Sequence, residues 1–346
     1  MSLSVKQKRI GILTAGGDCP GLNAAIRGVG KTAIVEYGMR VFGFNAGFSG
    51  LINNEYQELK ESQLSGILTL GGTILATSRE KPYKLVKEDG SENDKPEKII
   101  KNYHELGLDC VVCIGGNGTM KTANLLSKEG LNIVGIPKTI DNDVWGTDVA
   151  FGFDSAVQIA TDAIDRLHTT ANSHQRVMII EVMGHNAGWL ALYSGLAGGG
   201  DIILLPEINF SIESVIRNIE KRYANKKPYS IVVVAEGIKK PNNECAAPYI
   251  AKTIQSHTGI ETRETVLGYI QRGGSPSSMD RILATHYGAF AAQCIAEENF
   301  GIMVAMKQNE LKTVALDEVG GKLRLIEPNF TLIQKARKMG VSFGDY

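Results

Sequence analysis

The feature that most restricts the fold of this chain is a repeated unit of branched apolar residues, then glycines, then a helical pattern. Arg9-Ile10-Gly11-Ile12-Leu13-Thr14 reads as a buried strand that runs into Ala15-Gly16-Gly17-Asp18-Cys19-Pro20-Gly21, with helical periodicity following to about Tyr37. Residues 109–114 repeat the form and end in Gly115-Gly116-Asn117-Gly118-Thr119 ahead of another helix. Ile67-Leu68-Thr69-Leu70 with Gly71-Gly72-Thr73 reads as a further strand and turn, and Arg79 lies seven residues past its second glycine. Strands that alternate with helices pair in parallel, because each crossover returns the chain to the same end of the sheet. The turns then gather at the carboxyl edge, where free helix amides and the helix dipole favour an anion. One glycine turn alone signals only geometry; the set of them reads as a polyphosphate cradle.

Another strand-like run, Leu131-Asn132-Ile133-Val134, leads into Gly135-Ile136-Pro137-Lys138-Thr139-Ile140-Asp141-Asn142-Asp143. Pro137 ends the strand, since proline offers no amide to a central ladder. Two readings of the loop after it stand side by side. Thr, Asn and Asp hydrogen-bond their own backbone, which suits an Asx-rich turn. Carboxylates at i and i+2 beyond a parallel strand also suit chemistry, one taking a proton and the other holding a hydrated cation.

Past residue 150 the same grammar continues. Helical periodicity from Phe151 to about Asn172 precedes strand-like runs at 175–182, 202–205 and 230–235, with helical patterns at about 211–225 and 247–258. Met183-Gly184-His185, Pro206-Glu207 and Glu236-Gly237 follow those three runs. The expected fold class is α/β, with two mainly parallel layers. A length of 346 residues allows two domains of about 150 each. Residues 85–97 and Pro241-Asn242-Asn243-Glu244-Cys245 read as polar surface loops.

Several function classes are excluded. Lys+Arg and Asp+Glu both number 37, so no global field draws nucleic acid or an acidic membrane, and an anionic ligand needs a local cluster. No apolar run reaches the roughly 20 residues that span a bilayer, and Met1–Lys6 lacks the apolar core of a signal peptide. Five irregularly spaced cysteines point to a reducing cytoplasm. Cys110 and Cys113 form a C-x-x-C inside a strand-like run, where i and i+3 face opposite sides, which disfavours a shared metal or disulfide. Gly28-Val29-Gly30-Lys31-Thr32 imitates the end of a P-loop, but Ala25 occupies the required glycine position and the segment reads as helix. Its glycines suit close helix packing instead.

Gly16-Gly17-Asp18, Gly115-Gly116-Asn117-Gly118-Thr119, Pro137-Lys138-Thr139-Ile140-Asp141-Asn142-Asp143, Ser173-His174-Gln175-Arg176, Glu181-Val182-Met183-Gly184 and Gly268-Tyr269-Ile270-Gln271-Arg272-Gly273-Gly274 occur in this order. From about residue 9 to residue 300 the chain resembles the 6-phosphofructokinase family, whose members depend on ATP or pyrophosphate. The resemblance implies two Rossmann-like domains with the active site in the cleft between them, and phosphoryl transfer to the 1-hydroxyl of fructose 6-phosphate. It implies a discontinuous donor-binding domain at 1–152 plus about 271–320, a sugar-phosphate-binding domain at 153–270, and a C-terminal tail at about 321–346. By the same resemblance Asp141 is the general base, flanked by Thr139 and Asp143, and Mg²⁺ is the cofactor, with Asn117 and Asp143 near it. The Gly17 amide, Arg79 and Lys138 face the transferred phosphoryl group, while Gly115, Gly116, Asn117, Gly118 and Thr119 hold the donor. Arg176, Arg263 and Arg272 grip the sugar 6-phosphate as guanidinium forks, with Met183, Gly184, His185, Glu236 and Tyr269 around the sugar phosphate. Some of these arginines come from a neighbouring subunit in the family. That implies a homodimer or homotetramer with shared sites; the balanced charge and the lack of a spanning apolar run leave neither nucleic acid nor membrane as an expected partner.

Three positions depart from the family's pattern. Asn117 stands in place of a common aspartate and brings no charge to the metal, Tyr269 replaces a histidine, and His185 replaces an arginine. The donor signature is mixed. Lys138 matches members that use pyrophosphate, whereas Gly118 matches those that use ATP, because an aspartate there would crowd and repel a nucleotide α-phosphate. The exclusion lies at 118, which favours ATP. Lipid and NAD kinases share the Gly-Gly-x-Gly-Thr turn but lack the 137–143 loop and the Gln271-Arg272-Gly273-Gly274 stretch. A sugar-phosphate-binding subunit with lost catalysis would fit Asn117, yet Asp141, Asp143 and Arg79 are all retained. Arg27, Lys31, Lys226 and Lys227 read either as an effector anion site or as solvated surface charge.

Overall fold

Branched and apolar residues that cannot all face one side of a helix build the strands, and in the computed structural model those strands form two separate sheets. The structure describes residues 7–83, 95–240 and 244–345; positions 85–94 of the loop read at 85–97 and 241–243 of that read at 241–245 lie outside them, while 95–97 open the helix Lys95–Glu105 rather than end a loop. The chain divides into unit 1 (Met1–Thr139, Val144–Gly152, Arg272–Leu323) and unit 2 (Ile140–Asp143, Phe153–Gln271, Arg324–Tyr346). The strands in chain order are β1 (Arg9–Thr14), β2 (Arg40–Phe44), β3 (Tyr56–Glu58), β4 (Cys110–Gly115), β5 (Ile133–Pro137), β6 (Val177–Val182), β7 (Ile202–Leu204), β8 (Ser230–Ala235), β9 (Thr262–Val266), β10 (Ile302–Lys307) and β11 (Glu310–Ala315).

Unit 1 holds a seven-stranded sheet in the order β11-β10-β5-β4-β1-β2-β3. Its five central strands pair in parallel, as the strand–helix alternation requires. Both edges are antiparallel instead. β10 and β11 form a hairpin whose two turn residues, Gln308 and Asn309, have φ of 53° and 64°. Positive φ at both positions gives the turn a twist that matches the strands. The expected strand at Ile67–Leu70 does not form; the segment is a run of turns. Gly66 enters it at φ 79°, and β3 already occupies that edge of the sheet. Asn23 pins the loop instead, donating to the carbonyls of Leu70 and Gly71 and accepting from the Ile74 amide. Gly71 is glycine because the Gly274 carbonyl would lie 2.2 Å from its Cβ.

The helices Leu22–Val35 and Ser278–Ala296 pack backbone to backbone. A Cβ on Gly28 would sit 2.6 Å from the Thr285 carbonyl oxygen, and one on Gly288 would sit 2.5 Å from that of Ala25. The P-loop imitation therefore lies inside a helix, and its glycines serve packing. Gly30 does the same against Leu64.

Unit 2 holds a four-stranded parallel sheet in the order β7-β8-β6-β9. The helices Phe153–His174, Trp189–Ala197, Ile212–Ala224 and Ala246–Thr258 belong to it. Residues 324–345, set apart above as part of a tail, pack within this unit. Ile203 N donates to the Ser342 carbonyl (2.9 Å) and Ser342 N to that of Asp201 (3.0 Å), which covers the otherwise open β7 edge.

The helix crossing generates a stability prediction. Gly28→Ala or Gly288→Ala should lower the unfolding free energy by about 1–3 kcal/mol through overpacking against rigid backbone. Urea denaturation reads it, and an unchanged midpoint for both variants would contradict the close approach.

Candidate active site

In unit 1, parallel pairing of β5, β4 and β1 brings three chain turns to one sheet edge. Gly16 turns at φ 84°, a conformation that favours glycine. Its amide donates to the Ser78 carbonyl (2.9 Å) and its own carbonyl accepts from Thr77 Oγ1 (2.7 Å). Those two bonds fasten the segment that carries the exposed Arg79 to the first turn. The sequence marks Arg79 by its distance from a glycine turn, but the Thr77–Ser78 clasp has no motif of its own.

The second turn opens the helix Asn117–Lys128, with Gly116 at its N-cap. No side chain caps this end, so its first amides face outward as donors. A Cβ at Gly115 would strike Thr119 at 2.2 Å, so that glycine serves the turn itself. Gly118 is different. A Cβ there would meet nothing within 4 Å, so packing does not explain the missing side chain.

Lys138 joins these parts. Its amide donates to the Gly115 carbonyl (3.0 Å), its Nζ donates to the Gly17 carbonyl, and only 4% of the residue is exposed. A buried ammonium persists only where carbonyls or anions compensate it. Arg272 also belongs to this turn: its Nη1 donates to the Asp18 carbonyl (3.3 Å), and a Cβ on Gly17 would collide with that guanidinium. The structure thus puts Arg272 in unit 1 on the first glycine turn, and not with Arg176 and Arg263.

Past Thr139 the chain spends Ile140–Asp143 in unit 2 before returning at Val144. Asn142 and Asp143 are buried, and Asn142 takes a left-handed φ of 52°. Asparagine tolerates that conformation better than most residues. Elsewhere in unit 2, the loop after β6 gathers Met183, Gly184, His185 and Glu236. Glu236 Oε1 accepts from the His185 amide (2.7 Å), and Gln271 Oε1 from the Met183 amide (3.4 Å). His185 is itself left-handed at φ 50°, and Gly184 has φ 140°. Tyr269 is 73% exposed in the short helical turn Gly268–Arg272.

Arg176 and Arg263 stand at the other end of the same sheet. Arg176 immediately precedes β6, and Arg263 pairs in register with Met178. Met183 immediately follows the strand, so the two groups are separated by its full length, roughly 20 Å. Glu261 lies between the two arginines, 2.9 Å from Arg176 Nε and 2.5 Å from Arg263 Nη2. A surface cavity of about 580 Å³ adjoins them, lined in part by Lys252, Gln255, Ser256, Arg263 and Glu264. Within one chain, these arginines and the Met183–Glu236 group do not meet.

Among the described residues no cluster of three or more His, Cys, Asp or Glu side chains is placed to hold a metal. The donors named above, Asn117 and Asp143, offer one amide and one carboxylate. Each is an oxygen donor of the kind used by an ion held mostly by phosphates and water, which is how Mg²⁺ is usually bound. No helix among the described residues is long and apolar enough to cross a membrane.

Comparison with known proteins places these elements in a family. Residues 9–295 match the phosphofructokinase family profile. A protein of Bacteroides thetaiotaomicron named ATP-dependent 6-phosphofructokinase 3 is 59% identical over 97% of this chain and 100% of its own length. An ATP-dependent 6-phosphofructokinase of Spirochaeta thermophila is 53% identical over 98% of both chains. Among solved structures, phosphofructokinase from Saccharomyces cerevisiae superposes with a TM-score of 0.82 at 29% identity, covering 90% of this chain and 45% of that one. A pyrophosphate-dependent phosphofructokinase from Marinobacter aquaeolei gives a TM-score of 0.84 at 22% identity over 97% of this chain and 92% of that one, a likeness of fold alone.

The cysteines are thiols, not disulfides. All five are free, and only Cys245 is exposed. Burial pushes Cys19 up to about 12, the Lys138 ammonium pulling the other way. Burial also raises Cys113 to about 12 and Cys294 to about 11, and holds Cys110 well above the usual thiol value. These raised values favour the protonated folded state, so their stabilisation is complete below the ordinary thiol pKa and is lost as pH rises towards the folded values. At pH 8 an aromatic disulfide reagent should label Cys245 quickly and the other four only on unfolding. Fast labelling of Cys110 or Cys113 in the folded protein would contradict this.

Proposed function

Because the chain belongs to the phosphofructokinase family, we propose that it phosphorylates the 1-hydroxyl of fructose 6-phosphate with ATP, giving fructose 1,6-bisphosphate in glycolysis. The observation that carries the reading is the Lys138 ammonium, seated on the Gly17 carbonyl where two glycine turns share a sheet edge. Phosphoryl transfer passes through a loose, anionic transition state, so catalysis is mostly positioning and charge stabilisation. The Gly17 amide, the first amides of the Asn117 helix, Lys138 and Arg79 supply that stabilisation. Asp141 accepts the proton of the sugar hydroxyl as that hydroxyl's oxygen bonds to the γ-phosphorus and the bond from this phosphorus to the β–γ bridging oxygen breaks, releasing ADP, with Thr139 and Asp143 beside it. Mg²⁺, with Asn117 and Asp143 as its protein donors, would neutralise charge on the donor phosphates. Met183, Gly184, His185, Glu236, Tyr269 and Arg272 contact the sugar phosphate.

Arg176 and Arg263 act in a second copy's site. Their place at the amino end of the unit 2 sheet supports a homo-oligomer, dimeric or tetrameric, with shared sites. The exposed apolar side chains of Ile270, Met279 and Ile282 agree with such an assembly. The five free cysteines support a reducing compartment, the cytoplasm.

ATP is the donor because position 118 stays empty. Lys138 attracts phosphate from either donor, so it does not discriminate. Gly118 is the second residue of its helix and has open space where a side chain would stand, which leaves room for a nucleotide α-phosphate. Gly118→Asp should fold normally and lower kcat/KM with MgATP on the order of a hundredfold through like-charge repulsion. Steady-state rates with MgATP and Mg-pyrophosphate test this. Faster turnover of the unaltered protein on pyrophosphate, or an ATP rate indifferent to the aspartate, would overturn the assignment.

A further inference from the structure

We propose that Arg324, which lies outside every motif named above, is a positioning residue that holds the Ile140–Asp143 loop in the shape its base requires. The proposal rests on the reading of Asp141 as that base. The Arg324 amide donates to the Asp143 carbonyl (2.8 Å), and Nη1 donates to the Asn142 carbonyl (3.1 Å). The Arg324 carbonyl accepts from Trp189 Nε1 (2.9 Å), and its guanidinium carbon lies 4.0 Å from the Trp189 ring centroid. Glu207 secures both neighbours, accepting from the Ile326 amide (3.1 Å) and the Gly188 amide (2.9 Å). All these residues belong to unit 2.

The physical need for such a clamp comes from Asn142. Its left-handed backbone turns its carbonyl away from the direction a regular strand would give it, in a buried setting where an unmade hydrogen bond is costly. A guanidinium donor makes that bond charge-assisted. Stacking on Trp189 restricts the planar group and so fixes the direction of its donor. Without it, Asn142 can relax towards ordinary backbone angles and swing the preceding carboxylate off its target. A misplacement of about 1 Å can cost up to about a hundredfold in rate.

The test compares Arg324→Met, which keeps a stem over Trp189 but no donor, with Arg324→Lys, which keeps one donor. Each is made in the natural protein and in an Asp141→Asn background, and Arg324→Ala is added where it folds. With MgATP and saturating fructose 6-phosphate, Arg324→Met should lower kcat about tenfold or more, by the same misplacement argument. KM for ATP should move less than about threefold, and Arg324→Lys should recover most of the loss. A residue acting only through Asp141 has nothing left to position once the carboxylate is gone, so the same change should cost less than about twofold in the Asp141→Asn background. Equal losses in both backgrounds, or no loss in the natural protein, overturns the proposal while leaving the base assignment intact. Full activity of Asp141→Asn alone would instead remove the base assignment, and the proposal with it.

Discussion

Parallel strand direction decides which side chains of this chain can meet. In unit 1, β1, β4 and β5 run the same way, so the Gly16–Gly17 turn, the Gly116–Gly118 turn and Lys138 emerge together at the carboxyl edge. In unit 2 the same rule puts Met183 and Glu236 at one edge, and Arg176 and Arg263 at the other. No rotamer change can carry an arginine along the length of a six-residue strand. A small ligand cannot reach both groups within one chain.

Charge and strain sit where the proposed chemistry needs them. Lys138 is an ammonium almost without access to solvent, compensated by backbone carbonyl and fixed before any phosphate arrives. Such preorganised charge needs little rearrangement when an anionic transition state forms. The loop that follows has a left-handed asparagine, and its carbonyls are gripped from the C-terminal segment. Rigid support of this kind lets a carboxylate serve as a base at a defined angle.

Much of this architecture was legible from residues alone. The apolar runs that became β1, β4, β6 and β8 stand out because each is short, rich in branched apolar residues and followed by glycine or a charged residue within a few positions. The 137–143 loop and the glycine turns were readable because their residue types are costly or unusual outside such turns. Other features carried no local signal. Ile67–Leu70 has the composition of a strand, but the sheet edge was taken by Tyr56–Glu58, three exposed residues that no apolar pattern marks. The Gln308-Asn309 hairpin lacks the glycine that announces a tight turn, although both residues adopt its backbone. Arg272 reads in sequence like Arg176 and Arg263, and only tertiary structure puts it against Gly17 and Asp18. Arg324 and Trp189 are 135 residues apart, a pairing that no window of sequence could contain.

The measurement that bears most directly on this account mixes two defective forms of the protein. Asp141→Asn lacks the proposed base, and Arg263→Ala lacks a proposed phosphate-gripping group at the far end of the sheet. Each alone should be nearly inactive at low fructose 6-phosphate. Co-expressed, the two should form mixed assemblies in which some sites combine an intact Asp141 from one chain with an intact Arg263 from another, and activity should return. The proposed sharing of sites between chains requires that recovery. Mixed assemblies no more active than either parent, or an Arg263→Ala protein with undiminished sugar-phosphate affinity, would contradict it.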